Sequence, residues 1–144
     1  MTSPLLDNAK NTGLISSEDL FTILQANPER IKLVDATYPA NPSLPGITNA
    51  VTFDIDDIAD PQSHMAHMLP SPEIFAEKIG ALGIGNDDFV ICYDQSGFIM
   101  AASRVWWMFR VFGHDNVAVL DGGLINWIQK DYPVHLKNSA PEPK

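Results

Sequence analysis

Residues 91 to 114 run ICYDQSGFIMAASRVWWMFRVFGH, and they hold the chain's single cysteine, Cys92, two positions ahead of Asp94. Here an apolar run gives way to a short polar stretch, Asp94, Gln95, Ser96 and Gly97. Two chemistries are open. A cysteine nucleophile needs exposure and a donor-rich loop or helix N-terminus to stabilise its thiolate. Cys92 lies inside the apolar run, where a free cysteine behaves as a buried, inert thiol. A Cys-x5-Arg loop is ruled out, because Phe98 stands where its arginine would be. The second chemistry is anion binding by backbone N–H groups where the loop enters the next helix. Gly97 permits the tight turn such a loop needs, but Asp94 places a carboxylate at its centre and repels an anion.

Other reactive side chains cluster less tightly. His64 and His67 share an irregular acidic stretch with Asp54, Asp56, Asp57 and Asp60. No helical or strand spacing aligns them as ligands, so a solvated acidic loop is expected and no metal. A lone cysteine excludes an internal disulfide and a cysteine-based zinc site. No cofactor is expected. Arg104, Trp106, Trp107 and Arg110 share one segment with Phe109. One helix cannot bury every face in its own small domain. These residues are therefore expected to divide between the core and a surface facing another domain, the arginines pairing with carboxylates or capping that surface.

The elements that position these residues follow from pattern. Residues 1–13 are polar and aperiodic, and are expected to form a flexible arm. SSEDLFTILQANPE predicts a helix capped by Ser16 or Ser17, with Leu20, Ile23 and Leu24 on its apolar face. IKLVDA predicts a strand, TYPANPSLPGITN a loop, and AVTFDI a second strand. PSPEIFAEKIGALGIG predicts a helix with Ser71 as cap, Pro72 in the first helical position, and Gly83 or Gly85 at its end. DFVICY and NVAVLDGG read as strands covered on both faces. Residues 100–112 predict a helix with Val105, Met108, Phe109 and Phe112 on the core stripe, and LINWIQKD a last short helix. Alternation of strands and helices predicts an α/β fold, a mostly parallel central sheet with helices on both faces. Ligands of such sheets sit at the C-terminal strand ends, which points to the loop after FVICY. The domain is expected over 14–136, with 137–144 as a tail or the start of a linker.

The 144 residues carry a net charge of −9, from 18 acidic and nine scattered basic residues. That balance argues against a nucleic-acid partner. No N-terminal pattern of a signal peptide is present, and no apolar run approaches the ~20 residues a membrane span needs. A cytoplasmic protein with no membrane partner is the expectation.

The segment YDQSGFIMAASRVWWMFRVFGHDNVAVLDGGLINW resembles the N-terminal half of tandem rhodanese-type sulfurtransferases, the thiosulfate and 3-mercaptopyruvate enzymes. LVDATY, FDIDDIAD and HMLPSPEIFAEKIGALGIG match the same half in the same order, so the resemblance spans roughly residues 14 to 135. It implies a rhodanese-like fold and two such domains facing each other. The C-terminal domain would hold a catalytic cysteine in a Cys-x-x-Gly loop. That cysteine takes sulfur from a donor as a persulfide and passes it to a thiol or cyanide. In the N-terminal domain Asp94 matches the aspartate that replaces the cysteine, and Gly97 the loop glycine. The loop Asp94, Gln95, Ser96, Gly97 is then a degenerate one.

The resemblance further implies that His67 and Asp56 reach towards the partner domain's site and assist proton transfer there. A histidine can shuttle a proton near neutral pH while a carboxylate orients its ring. The family's His-Ile-Pro-Gly-Ala before the second strand is here GITNA, and the Asp94 loop is shorter than in many members. The expected partners are a C-terminal catalytic rhodanese domain and a small sulfur donor and acceptor. Two rivals stand beside this reading. One is a stand-alone interaction module on the same fold; the other is a self-sufficient enzyme using Cys92.

Overall fold

The computed structural model describes residues 4–26, 31–37, 45–47, 50–53, 55, 58–60, 62, 68–95 and 100–136. In chain order the elements are α1 (Pro4–Thr12), β1 (Leu14–Ile15), α2 (Ser17–Ala26), β2 (Ile31–Asp35), β3 (Pro45–Ile47) and β4 (Val51–Thr52). They continue with α3 (Pro72–Ala81), β5 (Phe89–Tyr93), α4 (Met100–Val111), β6 (Val117–Leu120), α5 (Gly123–Gln129) and β7 (Val134–Leu136). Five strands form a parallel sheet in the order β1-β6-β5-β2-β4. β3 and β7 pair antiparallel as a separate ribbon. The expected α/β architecture, with its parallel sheet between helices, is the one observed.

The strand sequences explain the layering. Along β5 every residue is buried, and alternate side chains enter opposite cores, because successive residues of a strand point to opposite faces. Val90 and Cys92 join Phe75 and Ile79 of α3 and Ala102, Val105, Met108 and Phe109 of α4. Phe89, Ile91 and Tyr93 join Ala9 of α1, Leu20 and Ile23 of α2, and Leu124 and Trp127 of α5. The continuous apolar runs of β5 and β6 are thus what a sheet covered on both faces demands.

Local signals hold the helices in place. The Ser16 hydroxyl accepts the Asp19 N–H at 3.0 Å, so Ser16 is the cap of α2. Ser71 accepts the Ile74 N–H at 3.2 Å, with Pro72 in the first position of α3. Gly83, at φ +86°, follows that helix where only glycine adopts the left-handed conformation without cost.

Three expectations are corrected. Residues 1–13 are not wholly an arm: Pro4–Thr12 is helical, and Ala9 packs at 1% exposure in the α1–α2–α5 core. The proline-rich loop after β2 contains β3, stabilised by pairing with the distant β7. The strand expected over AVTFDI is only two residues long, at a sheet edge with β2 as its one neighbour. β1 lies at the opposite edge and is equally short.

Candidate functional site

β5 and β6 are neighbours, yet their chains leave in opposite directions. β5 leads into α4 on one face of the sheet, and β6 leads into α5 on the other. A crevice opens outside the C-terminal strand ends wherever adjacent strands diverge in this way, and open α/β sheets bind ligands there. Asp94, the first residue after β5, stands at that point with 2% exposure.

Asp94 is held from both sides. Its carboxylate Oδ2 accepts the Ala102 backbone N–H at 3.3 Å, inside the first turn of α4. The early N–H groups of a helix have no intrahelical acceptor and carry its positive dipole end. The carboxylate therefore takes up a donor that a bound anion would otherwise use. The Asp94 carbonyl accepts the Leu124 N–H at the start of α5, at 3.0 Å. One residue later the Gln95 N–H donates to the Thr37 hydroxyl at 2.9 Å. Thr37 in turn donates through its hydroxyl (2.5 Å) and its N–H (2.9 Å) to Oδ1 of Asp35, which is 1% exposed. The Ala36 N–H to Tyr93 carbonyl bond, at 2.8 Å, closes the junction.

Cys92 lies two residues back on the α3–α4 face, with no exposed surface. Burial pushes its thiol far above the ordinary range, since the thiolate has no solvation there. It is a buried core thiol, as the apolar run around it implied. Tyr93 points to the other face, and its hydroxyl accepts the Ile47 N–H at 3.1 Å, tying the β3–β7 ribbon to the main sheet. Burial raises that phenol to about 12, against a smaller lowering by the Ile47 bond.

The remaining candidates separate. Ser96, Gly97, His67 and Asp56 lie outside the described residues, as do His64, Asp54 and Asp57. Among the described residues no group of three or more His, Cys, Asp or Glu side chains could hold a metal ion. Also among them, no helix is long and apolar enough to cross a membrane. On α4, Trp106 is half-buried and packs on the core, whereas Trp107 is 42% exposed. The Arg104 guanidinium lies 5.1 Å from the Trp107 ring centre, and that of Arg110 5.2 Å from the Trp106 ring centre. At 100° per residue, Trp107 projects away from Val105, Met108 and Phe109, so the helix shows its aromatic ridge outward. Sequence reasoning missed Asp35, Thr37 and Tyr93. Thr37 meets Gln95, and Tyr93 meets Ile47, across remote stretches of sequence, and no motif spacing announces these contacts.

Comparison with known proteins agrees with this geometry. The family model described as rhodanese-like domain matches residues 20–130. The chain belongs to the rhodanese-like domain family. It is 48% identical over 113 residues to thiosulfate/3-mercaptopyruvate sulfurtransferase 2 of Arabidopsis thaliana, covering 72% of this chain and 33% of the relative. It is 47% identical over 98 residues to 3-mercaptopyruvate sulfurtransferase of Homo sapiens, covering 67% and 33%. The chain thus spans about a third of the length of the curated relatives it matches.

Among solved structures, SseA of Escherichia coli, described with the rhodanese fold and mechanism of 3-mercaptopyruvate sulfotransferases, superimposes with a TM-score of 0.76. Its identity is 32%, over 85% of this chain and 50% of that one. Tum1 of Saccharomyces cerevisiae gives a TM-score of 0.74 and 30% identity, over 84% and 43%.

Proposed function

We propose that this chain is the N-terminal, non-catalytic rhodanese domain of a tandem sulfurtransferase of the thiosulfate or 3-mercaptopyruvate type. One observation carries the reading: the residue at the divergence of β5 and β6 is Asp94, and its own carboxylate occupies the α4 N–H. The only sulfur nucleophile in the chain, Cys92, is sealed in the core. Aspartate has no thiol on which a persulfide could form, so the transfer belongs to a cysteine of a second domain. That cysteine would take sulfur from the donor and pass it to a thiol or cyanide. The domain described here would shape the shared site, with His67 and Asp56 moving a proton and orienting its carrier. The chain's span of about a third of its curated relatives is consistent with one domain of a longer protein.

Intact mass after incubation with 3-mercaptopyruvate or thiosulfate, with a parallel sulfur-release assay, tests this directly. The expected result is no gain of a sulfur atom and no turnover by this chain alone. A sulfur adduct on Cys92 with turnover would overturn the proposal.

The exposed Trp107 favours one second reading, a stand-alone interaction module, because tryptophan beside arginine is the typical composition of an interface hot spot. Under that reading no catalytic domain, supplied in the same chain or in trans, would gain activity from this one.

A further inference from the structure

The peptide between Asp94 and Gln95 is gripped from opposite sides. Its start, at the Asp94 carbonyl's own residue, is tied to α5 through Leu124, and its N–H is tied to the segment after β2 through Thr37. A peptide plane held through both neighbouring groups cannot rotate freely, so the direction in which the chain enters the loop is set there. The α5 tie uses backbone alone and tolerates any side chain. The Thr37 tie depends on one hydroxyl.

That hydroxyl does two things at once. It donates to Asp35 Oδ1 at 2.5 Å, and it accepts from the Gln95 N–H at 2.9 Å. The first bond is short. It also fixes the hydroxyl proton on the Asp35 side, which leaves the oxygen lone pairs aimed at Gln95 and strengthens that acceptor. The Thr37 N–H, bonded to the same Oδ1 at 2.9 Å, closes a local Asx turn that holds the side chain upright. Asp35 is the last residue of β2 and is buried. The anchor is therefore part of the sheet.

We propose that Thr37, backed by Asp35, is a positioning residue: it fixes the Asp94–Gln95 peptide at the strand-end crevice, which the proposed function sets opposite the catalytic domain. The inference rests on the reading given under Proposed function. Valine matches threonine in shape but lacks the hydroxyl, so Thr37→Val removes the bond from the Gln95 N–H and one bond to Asp35, and loosens the hold on the Asp94–Gln95 peptide. Serine keeps both bonds.

The test uses the protein carrying both rhodanese halves, with sulfur transfer from 3-mercaptopyruvate to cyanide and amide exchange at Gln95 as separate readouts. Thr37→Val is expected to lower kcat about tenfold, the worth of one hydrogen bond, with the donor KM within about twofold. Its Gln95 amide exchange should quicken by a similar factor. Thr37→Ser should restore both.

Equal behaviour of the valine and serine variants overturns the proposal. So does faster exchange at Gln95 with an unchanged kcat, which would leave Thr37 as a local brace only. A wild-type protein with no transfer from any sulfur donor sinks the functional reading itself. The exchange data then show separately whether Thr37 grips the loop.

Discussion

The Asp94 carboxylate reaches back to the Ala102 N–H at 3.3 Å and caps α4 from outside the helix. It does the work of an N-cap while standing eight residues ahead of its donor. Removing it should cost what losing a cap and a dipole partner costs. Asp94→Ala is expected to lower stability by about 1 kcal/mol. For a domain of this size that is a fall of about 2–4 °C in the thermal midpoint. Asp94→Asn keeps an acceptor and should lose less.

Cys92 and Tyr93 make the fold sensitive to alkali. Both have folded pKa values raised by burial, Cys92 from 9.0 and Tyr93 from 10.0 to about 12. Above pH 9 the unfolded chain releases the thiol proton while the folded chain retains it, so unfolding gains and stability falls as pH rises. Below pH 9 the contribution is fully present. The slope is about 1.4 kcal/mol per pH unit for one proton, with Tyr93 adding its share between 10 and about 12. Urea midpoints measured from pH 7 to 11 should decline from about pH 9. In Cys92→Ala the decline should begin one unit later, where Tyr93 titrates. An unchanged onset in that variant would contradict the burial of the thiol.

The parts legible in the sequence were those whose physics is local or repetitive. Phe89–Tyr93 and Val117–Leu120 announce themselves as unbroken apolar runs, and Ser71–Pro72 announces the start of α3. The burial of Cys92 and the place of Asp94 at the strand end followed from where the run ends. What escaped depends on pairing across the chain. β1, β3, β4 and β7 have two or three residues each, too few to show a period of two. They exist because a distant strand satisfies them. The N-terminal helix is polar along PLLDNAKNT, and its burial rests on Ala9 with Leu5 and Leu6 beside it. The contact of Thr37 with Gln95 spans 58 positions and involves a backbone N–H, which no side-chain motif reveals.

Gly122 carries a strict requirement. It precedes α5 at φ +82°, and a Cβ there would lie 2.5 Å from the Asn126 Cβ. Asn126 accepts the Ser17 hydroxyl at 2.8 Å, linking α5 to α2. Gly122→Ala therefore combines left-handed backbone strain with a clash that pushes Asn126 off its partner. A loss of about 2 kcal/mol or more is expected. Because α5 also supplies the Leu124 N–H to Asp94, the variant should quicken amide exchange at Leu124 beyond the global effect. A fully stable Gly122→Ala protein would mean that the turn before α5 can be rebuilt.

The three tryptophans differ enough in burial to be told apart in solution: Trp127 is 1% exposed, Trp106 half-buried and Trp107 42% exposed. Trp127 donates its Nε1–H to the Pro133 carbonyl at 2.8 Å and packs edge-on to Phe21 and Tyr132. Acrylamide should therefore quench Trp107 readily and Trp127 hardly at all. Trp107→Phe should abolish the readily quenched component and change stability by no more than about 0.5 kcal/mol, as for a surface site away from the core. The same signal reports on docking. If the outward ridge of α4 faces another domain, adding the catalytic half should shield Trp107 from acrylamide in wild type and do nothing in Trp107→Phe. Continued quenching of Trp107 in the two-domain protein would leave the ridge open to solvent and place the domain seam elsewhere, at the strand ends around Asp94.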